Sequence, residues 1–330
     1  MNLIYCSCTK NAGRKRKFAV YLIRGSKCAM FRVSPVQRKT IDNWTIKESG
    51  LSTRIINSVN AKNVKFVGDL RPLKDADLLE LRSLGQISLN QIRDFFTLCN
   101  KISNGTKTFE SVEEVLQIFL DEDEYDVLSA RYGLLRPDLE ASRSYQTLQQ
   151  IGNEKNRTRE RIRQVEDLAK ANLRKNLAVV CLQPFVEFFV DFIKAYGYSI
   201  ACTDLRSLRG ERIVSGLNPC SVLLLLADLF PAEITWFNRF FSVLKLDHLE
   251  LLDDAARKSL EGRAGLSTIE HVIHSVTLEA VELEREHAAK TLDTLLRHNT
   301  NVATTTDGHY TDDSDRLNRT GVPPLWFDEA

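Results

Sequence analysis

Apolar residues recur along the chain with a changing period, and the changes divide it into segments. Two apolar runs, Phe18-Ala-Val-Tyr-Leu-Ile23 and Cys28-Ala-Met-Phe-Arg-Val33, flank Arg24-Gly-Ser-Lys27, which predicts a β-hairpin. From 51 to 102 apolar positions return at helical intervals in short bursts. Ser52 and Asp75 are the expected N-caps there, and Gly68 and Gly85 the expected breaks. Residues 111–135 read as one or two acidic amphipathic helices, with Val112, Val115, Leu116, Ile118 and Phe119, then Val127 and Leu128, on their apolar sides. A polar loop is expected over 136–146. The segment 178–262 reads as mostly helical and strongly apolar, with Pro184, Pro219 and Pro231 limiting its helices. Ser267-Thr-Ile-Glu270 matches a capping box opening a long helix to about 298. The tail from Asn299, rich in Thr, Asp and Asn, reads as loop or disorder, with Val322-Pro-Pro-Leu-Trp-Phe327 able to dock back.

The most informative pattern lies between these. A short helix is expected from Thr147 to about Lys155, then a turn, then a second helix capped by Thr158. On a wheel of about 100° per residue with Arg159 at zero, Ile162, Val165, Ala169 and Leu173 fall between about 240° and 320°. On the same wheel Arg159, Glu160, Arg163 and Gln164 fall between about 0° and 140°, a polar face turned away from the apolar stripe. Arg makes bidentate contacts with guanine, Gln with adenine, and Glu accepts from cytosine. The first residues of a recognition helix are those that reach base edges. Thr158, Arg159, Glu160, Arg163 and Gln164 are therefore candidate DNA-binding residues.

Charge changes the picture because it is segregated. The 330 residues carry 45 Lys+Arg and 44 Asp+Glu, a net charge of +1. Residues 1–60 nevertheless carry +10, while 111–140 carry −7 and 181–330 carry −9. A basic N-terminal half suits a polyanion, and an acidic C-terminal half does not. The seven cysteines are odd in number and irregularly spaced, which favours reduced thiols over a disulfide framework. Cys6, Cys8 and Cys28 lack a histidine to complete a zinc set, and His271 and His274 lack a third ligand. No metal and no cofactor is expected. The longest apolar stretch identified, Val222 to Phe230, is broken by Asp228, so no membrane contact and a cytoplasmic location are expected. Without a phosphate-binding loop, a nucleophile elbow or convincing paired carboxylates, no enzyme is expected.

Two stretches resemble known families. Thr158-Arg-Glu-Arg-Ile-Arg-Gln-Val-Glu166, with Val127-Leu-Ser-Ala-Arg-Tyr-Gly-Leu134 and Thr147-Leu-Gln-Gln-Ile-Gly152, resembles region four of housekeeping-type bacterial sigma factors, over about 120–176. That resemblance implies a helix-turn-helix that reads the minus-35 promoter element and touches RNA polymerase, with Arg159, Glu160, Arg163 and Gln164 reading bases. Lys155 and Arg157 stand where the family usually has apolar residues, and the aromatic-rich signature needed for promoter melting is not found. The stretch 50–97, with its hairpin Ser83-Leu-Gly-Gln-Ile-Ser88, resembles the C-terminal domain of the RNA polymerase alpha subunit. By position that resemblance makes Arg54 the principal DNA contact, and Asn57, Gly85 and Ser88 further ones. Gly85 is expected to permit a tight turn and Ser88 to cap the following helix. Ile87 stands where that family usually has a basic residue.

The expected fold is therefore mainly α: tandem small helical DNA-binding modules (helix-hairpin-helix, then helix-turn-helix), a short N-terminal β element and a helical C-terminal domain. The expected units are 1–45, 46–105, 106–177, 178–298 and a tail at 299–330. The expected function is a sequence-preferring transcription regulator, sigma-factor-like, whose partners are promoter-like double-stranded DNA and RNA polymerase. The alternative is an adaptor that binds polymerase or a regulator without reading DNA.

Overall fold

The computed structural model describes residues 31–82, 84–137, 145–237 and 239–261, with shorter pieces at 290–294, 296, 302–304 and 310–312. The chain is mainly α. Strand β1 (Phe31–Arg32) leads into α1 (Arg38–Asp42), a 3-10 turn at Ile46–Glu48, α2 (Thr53–Asn60), α3 (Val67–Leu70), α4 (Asp75–Leu79) and α5 (Gln86–Ser103). Strand β2 (Thr108–Phe109) then pairs antiparallel with β1, Phe31 opposite Phe109, and so ties together the two ends of this helical module. Of the expected N-terminal hairpin, only its last residues are described, and they pair with β2. The cysteines at 6, 8 and 28 lie outside the described residues.

Within the module, α1 and α3 touch closely. A Cβ on Gly68 would lie 3.1 Å from the Asp42 carbonyl oxygen. Gly68 thus serves close packing inside α3 and is not the break expected. Asp75 is likewise the first residue of α4, not its cap, and the Asp77 carboxylate accepts the Lys74 N–H at 3.0 Å. Arg71 spans the module, bonded to Asp42 at 2.5 Å and lying 4.7 Å from the Phe96 ring centre.

The acidic stretch forms two helices, α6 (Val112–Phe119) and α7 (Glu122–Tyr132). Ser111 and Asp121 cap them, each accepting the N–H of its third helical residue. Helices α8 (Leu148–Glu154) and α9 (Arg159–Leu173) follow, and α7, α8 and α9 pack on one another. Next comes α10 (Asn176–Ala195), which touches α6, α9, β1 and strand β3 (Ser199–Ala201). Pro184 sits inside α10 and does not limit it, although it leaves the Val180 carbonyl without its helical donor. Its buried face carries Leu182, Phe185, Val186, Phe189 and Ile193, with the Phe31 ring 4.7 Å from that of Phe185. Among the described residues α10 is the helix long and apolar enough to cross a membrane, a longer apolar segment than Val222–Phe230; half of its most apolar window is buried within the protein.

After a 3-10 segment at Cys202–Leu208, α11 (Pro219–Leu229) begins with Pro219 in its first turn and Asn218 capping it. Every residue of α11 except Asp228 is buried, as expected of a helix apolar on all sides. Strands β4 (Thr235–Phe237) and β5 (Phe240–Ser242) follow. With β3 they form a three-stranded antiparallel sheet, β5 central, in a region whose sequence reads as helical. Strands of three residues give no period long enough to stand out. Helix α12 (Leu246–Glu261) ends the continuous part, and β6 (Val302–Thr304) pairs with β7 (Tyr310–Asp312) where the sequence suggests only loop. The long helix expected from Ser267 lies outside the described residues except at 290–294 and 296, which are helical.

One apolar core runs from Val33 to Phe241 and joins the first module to α10 and α11. Val127, Ile151, Ile162 and Val165 form a separate small cluster. The tip of the α7–α8–α9 unit thus has its own interior, while Ala169 and Leu173, at the other end of α9, belong to the main core.

Candidate nucleic-acid interface

Helices α8 and α9 form a helix-turn-helix standing on α7. Thr147 caps α8: its hydroxyl accepts the Gln150 N–H at 3.2 Å, and the Gln150 side-chain oxygen accepts the Thr147 N–H at 2.7 Å. The turn is set by Gly152, where a Cβ would lie 2.7 Å from the Arg157 carbonyl oxygen, so any larger residue must push backbone aside. The Arg157 N–H closes the turn onto the Gly152 carbonyl at 2.8 Å, and Asn156 takes φ +52°. Asn is among the residues that tolerate this left-handed conformation. Thr158 then caps α9 as expected, accepting the Arg161 N–H at 3.2 Å.

Lys155 and Arg157, the two charged departures from the apolar pattern, have a physical reason. The Lys155 ammonium lies 2.8 Å from Asp126 and 3.5 Å from Asp123 on α7, and Arg157 bonds to Asp123. Ionic ties hold the turn to α7. At Asp123 burial pushes the carboxyl pKa up, but the Arg157 hydrogen bond and charge, with Lys155, outweigh it and leave the group below its ordinary range. At Lys155 burial pulls down, and Asp126 and Asp123 raise the group above its ordinary value. Deeper, Arg131 on α7 bonds Glu166 on α9 at 3.0 Å, and Lys170 meets the other Glu166 oxygen at 2.7 Å. Toward α11, the Tyr132 hydroxyl donates to Asp228 at 2.5 Å, and Asn218 N–H donates to the Leu134 carbonyl. The one charge in α11 is thus the acceptor that seats α7 on it.

Ile162, Val165, Ala169 and Leu173 are buried, and Arg159, Glu160, Arg163 and Gln164 are exposed, as the wheel requires. The exposed side chains are not independent. Arg163 donates from Nε and Nη2 to the two Glu160 oxygens, at 2.9 and 2.7 Å, and from Nη1 to Asp167 at 2.6 Å. Gln164 donates to Glu160 at 3.3 Å and accepts from Arg161 at 3.5 Å. The hydrogen bonds from Arg163 first, then Gln164, bring the Glu160 carboxyl down to about 2. Asp167 does not figure in the resemblance, although its i+4 spacing from Arg163 is legible. Asp123 and Asp126 are more than 25 residues from their partners, and nothing local points to the pairing.

In the first module, Arg54 and Asn57 are exposed one turn apart on α2. Gly85 is the N-cap residue of α5 with φ −108°, and a Cβ there would meet nothing within 4 Å. The fold does not need glycine for a tight turn here, contrary to expectation. Ser88 is the third residue of α5 and is buried, so it does not cap the helix. Gly85 and Ile87 are exposed beside it, Ile87 at 79%. The two modules face each other across a cleft of about 730 Å³ lined by Ser52, Asp94, Ile118, Glu124, Leu168 and Lys175 among others. Burial raises the pKa of Glu124 and lowers that of Lys175.

No curated protein and no solved structure matches the sequence. The model of one family does match, at residues 34–97: the C-terminal domain of the bacterial RNA polymerase alpha subunit, over the helical module whose two ends β1 and β2 tie together.

Proposed function

We propose that this protein is a DNA-binding transcription regulator that contacts promoter-like double-stranded DNA and RNA polymerase, and that it is not an enzyme. The module resembling the alpha subunit gives the protein a role related to RNA polymerase or DNA contact. The sigma-like part of the reading rests on one observation: a capped helix-turn-helix whose second helix presents Arg159, Glu160, Arg163 and Gln164 on a single exposed face at its N-terminal end. Phosphate contacts from the surrounding arginines would position the helix, and that face would read bases. In the first module Arg54 and Asn57 supply polar contacts, and open space at Gly85 leaves room for a nucleic-acid backbone.

The adaptor reading is favoured by Ile87. Its exposed side chain at the start of α5 offers a phosphate backbone neither a charge nor a hydrogen-bond donor. Core RNA polymerase pull-downs separate the two readings. Retention of the protein that survives Arg159→Ala with Arg163→Ala, together with no mobility shift of any duplex, would establish the adaptor. A mobility shift that those two substitutions abolish supports the regulator.

A further inference from the structure

All three guanidinium nitrogens of Arg163 are already bonded in the free protein. Glu160 takes Nε and Nη2, and Asp167 takes Nη1 from one turn further along. A guanidinium has five N–H groups, so one is left on Nη1 and one on Nη2. The arginine and its two carboxylates together carry a charge of −1 and not +1. The three side chains are about half exposed, at 52%, 60% and 60%, and exposed pairs of this kind add little to folding stability. Their consequence lies in what Arg163 can bind.

We propose that Asp167 is a specificity-determining positioning residue: with Glu160 it holds Arg163 in a carboxylate clasp that suppresses its attraction to phosphate and leaves it to act at a matched base edge. This rests on α9 being a DNA-reading helix. Phosphate contacts are sequence-independent and dominate non-specific affinity. A clasped Arg163, inside a local net negative charge, contributes little to them. At a matched site a fixed acceptor pair on a base can engage the two remaining N–H groups of an arginine whose side chain is already ordered, so less freedom is lost. The clasp therefore lowers binding to the wrong sequence more than binding to the right one. Asp167 touches no DNA in this scheme; it acts through Arg163.

The test compares wild type, Asp167→Asn, Asp167→Glu and Arg163→Ala, as full-length proteins, by fluorescence anisotropy on a minus-35-containing duplex and a scrambled duplex over a salt series. Asp167→Asn is expected to tighten binding to the scrambled duplex roughly tenfold at low salt and to steepen the log–log salt slope by about 0.9, the increment of one added phosphate contact. It should shrink the ratio between the two duplexes, and Asp167→Glu should restore that ratio. Nitrogen-15 spectra of the free protein should show the Arg163 Nη1 protons, which Asp167 holds, slowed in exchange in wild type and released in Asp167→Asn, and the Nε–H, which Glu160 holds, released only in Glu160→Gln. If Asp167→Asn leaves affinity, slope and ratio unchanged while Arg163→Ala weakens binding, the clasp is refuted and DNA reading stands. If no variant binds either duplex at any salt, DNA reading itself fails, and the clasp as a specificity device fails with it.

Discussion

Replacing Gly152 by alanine sets two physical effects against each other with opposite signs. Gly152 lies within α8, and in a helix interior alanine is favoured over glycine by about 1 kcal/mol. On propensity alone the substitution stabilises. Its Cβ, however, would lie 2.7 Å from the Arg157 carbonyl oxygen, against 3.4 Å or more for an ordinary contact. The obstacle is backbone, and it is held in place by the Arg157 N–H donating to the Gly152 carbonyl at 2.8 Å. Relieving the overlap means opening the turn, at an overpacking cost of about 1–3 kcal/mol. Weakening the turn hydrogen bond adds about 1 kcal/mol. The net expectation is a loss of about 2 kcal/mol. It should be concentrated in the small interior of Val127, Ile151, Ile162 and Val165, which is separate from the main core. Urea unfolding followed by circular dichroism gives the total, and hydrogen exchange locates it, with the amides of Arg157 and Ile162 losing protection first. A variant more stable than wild type by about 1 kcal/mol, with α8 and α9 amides unchanged, would refute the close-contact argument.

Gly85→Ala is the matched control, since a Cβ there meets nothing: folding stability should change by less than about 1 kcal/mol, the difference between Gly and Ala as N-cap, while duplex affinity should fall severalfold if a nucleic-acid backbone approaches this site. The turn ties should show in the acid limb of stability. Asp123 has a folded pKa below its ordinary value, so its stabilisation is complete above the ordinary carboxylate range and is lost as pH falls through the depressed value; Asp123→Asn should flatten stability against pH below about 4 and cost up to about 1 kcal/mol at neutral pH in thermal melts. Tyr132→Phe removes the donor to Asp228 and should cost about 1–2 kcal/mol in urea unfolding, loosening α7 from α11. Burial pushes the Cys99 and Cys181 thiols up to about 12, so at pH 8 a thiol reagent should leave both unmodified until the protein unfolds, as peptide mapping of the labelled protein would show.

The helix-turn-helix is legible in the sequence because its determinants are local. Thr147 and Thr158 are caps, the stripe from Ile162 to Leu173 repeats at helical spacing, and the polar face follows from that same period. Gly152 is visible as a residue, but its reason is a contact with Arg157 across the turn, which no periodicity records. The roles of Lys155 and Arg157 depend on Asp123 and Asp126 one helix away, so in sequence they look like departures from a pattern. In the first module the helices are legible and several details at their ends are not. Ser88 has the chemistry of a cap and sits buried one turn in, and Gly85 has the flexibility for a left-handed turn and does not use it. The β3–β5–β4 sheet escapes notice because each strand has three residues, too few to establish alternation, and because apolar helices flank them. Pro184 misleads for a related reason: α10 is anchored by Phe185, Phe189 and Ile193 in the main core, and that packing outweighs one lost backbone hydrogen bond.

DNA reading by the exposed face of α9 is the core of the proposed function. Its most direct test is a fluorescence anisotropy titration of wild type and Arg163→Ala against a minus-35-containing duplex and a scrambled duplex at two salt concentrations. The expected result is tighter binding to the minus-35 duplex, weakening of both complexes with salt, and a loss of about 1–3 kcal/mol on that duplex with relaxed preference when Arg163 is removed. Equal loss on both duplexes would reduce Arg163 to a phosphate contact, and absence of binding to either duplex at low salt would contradict the claim.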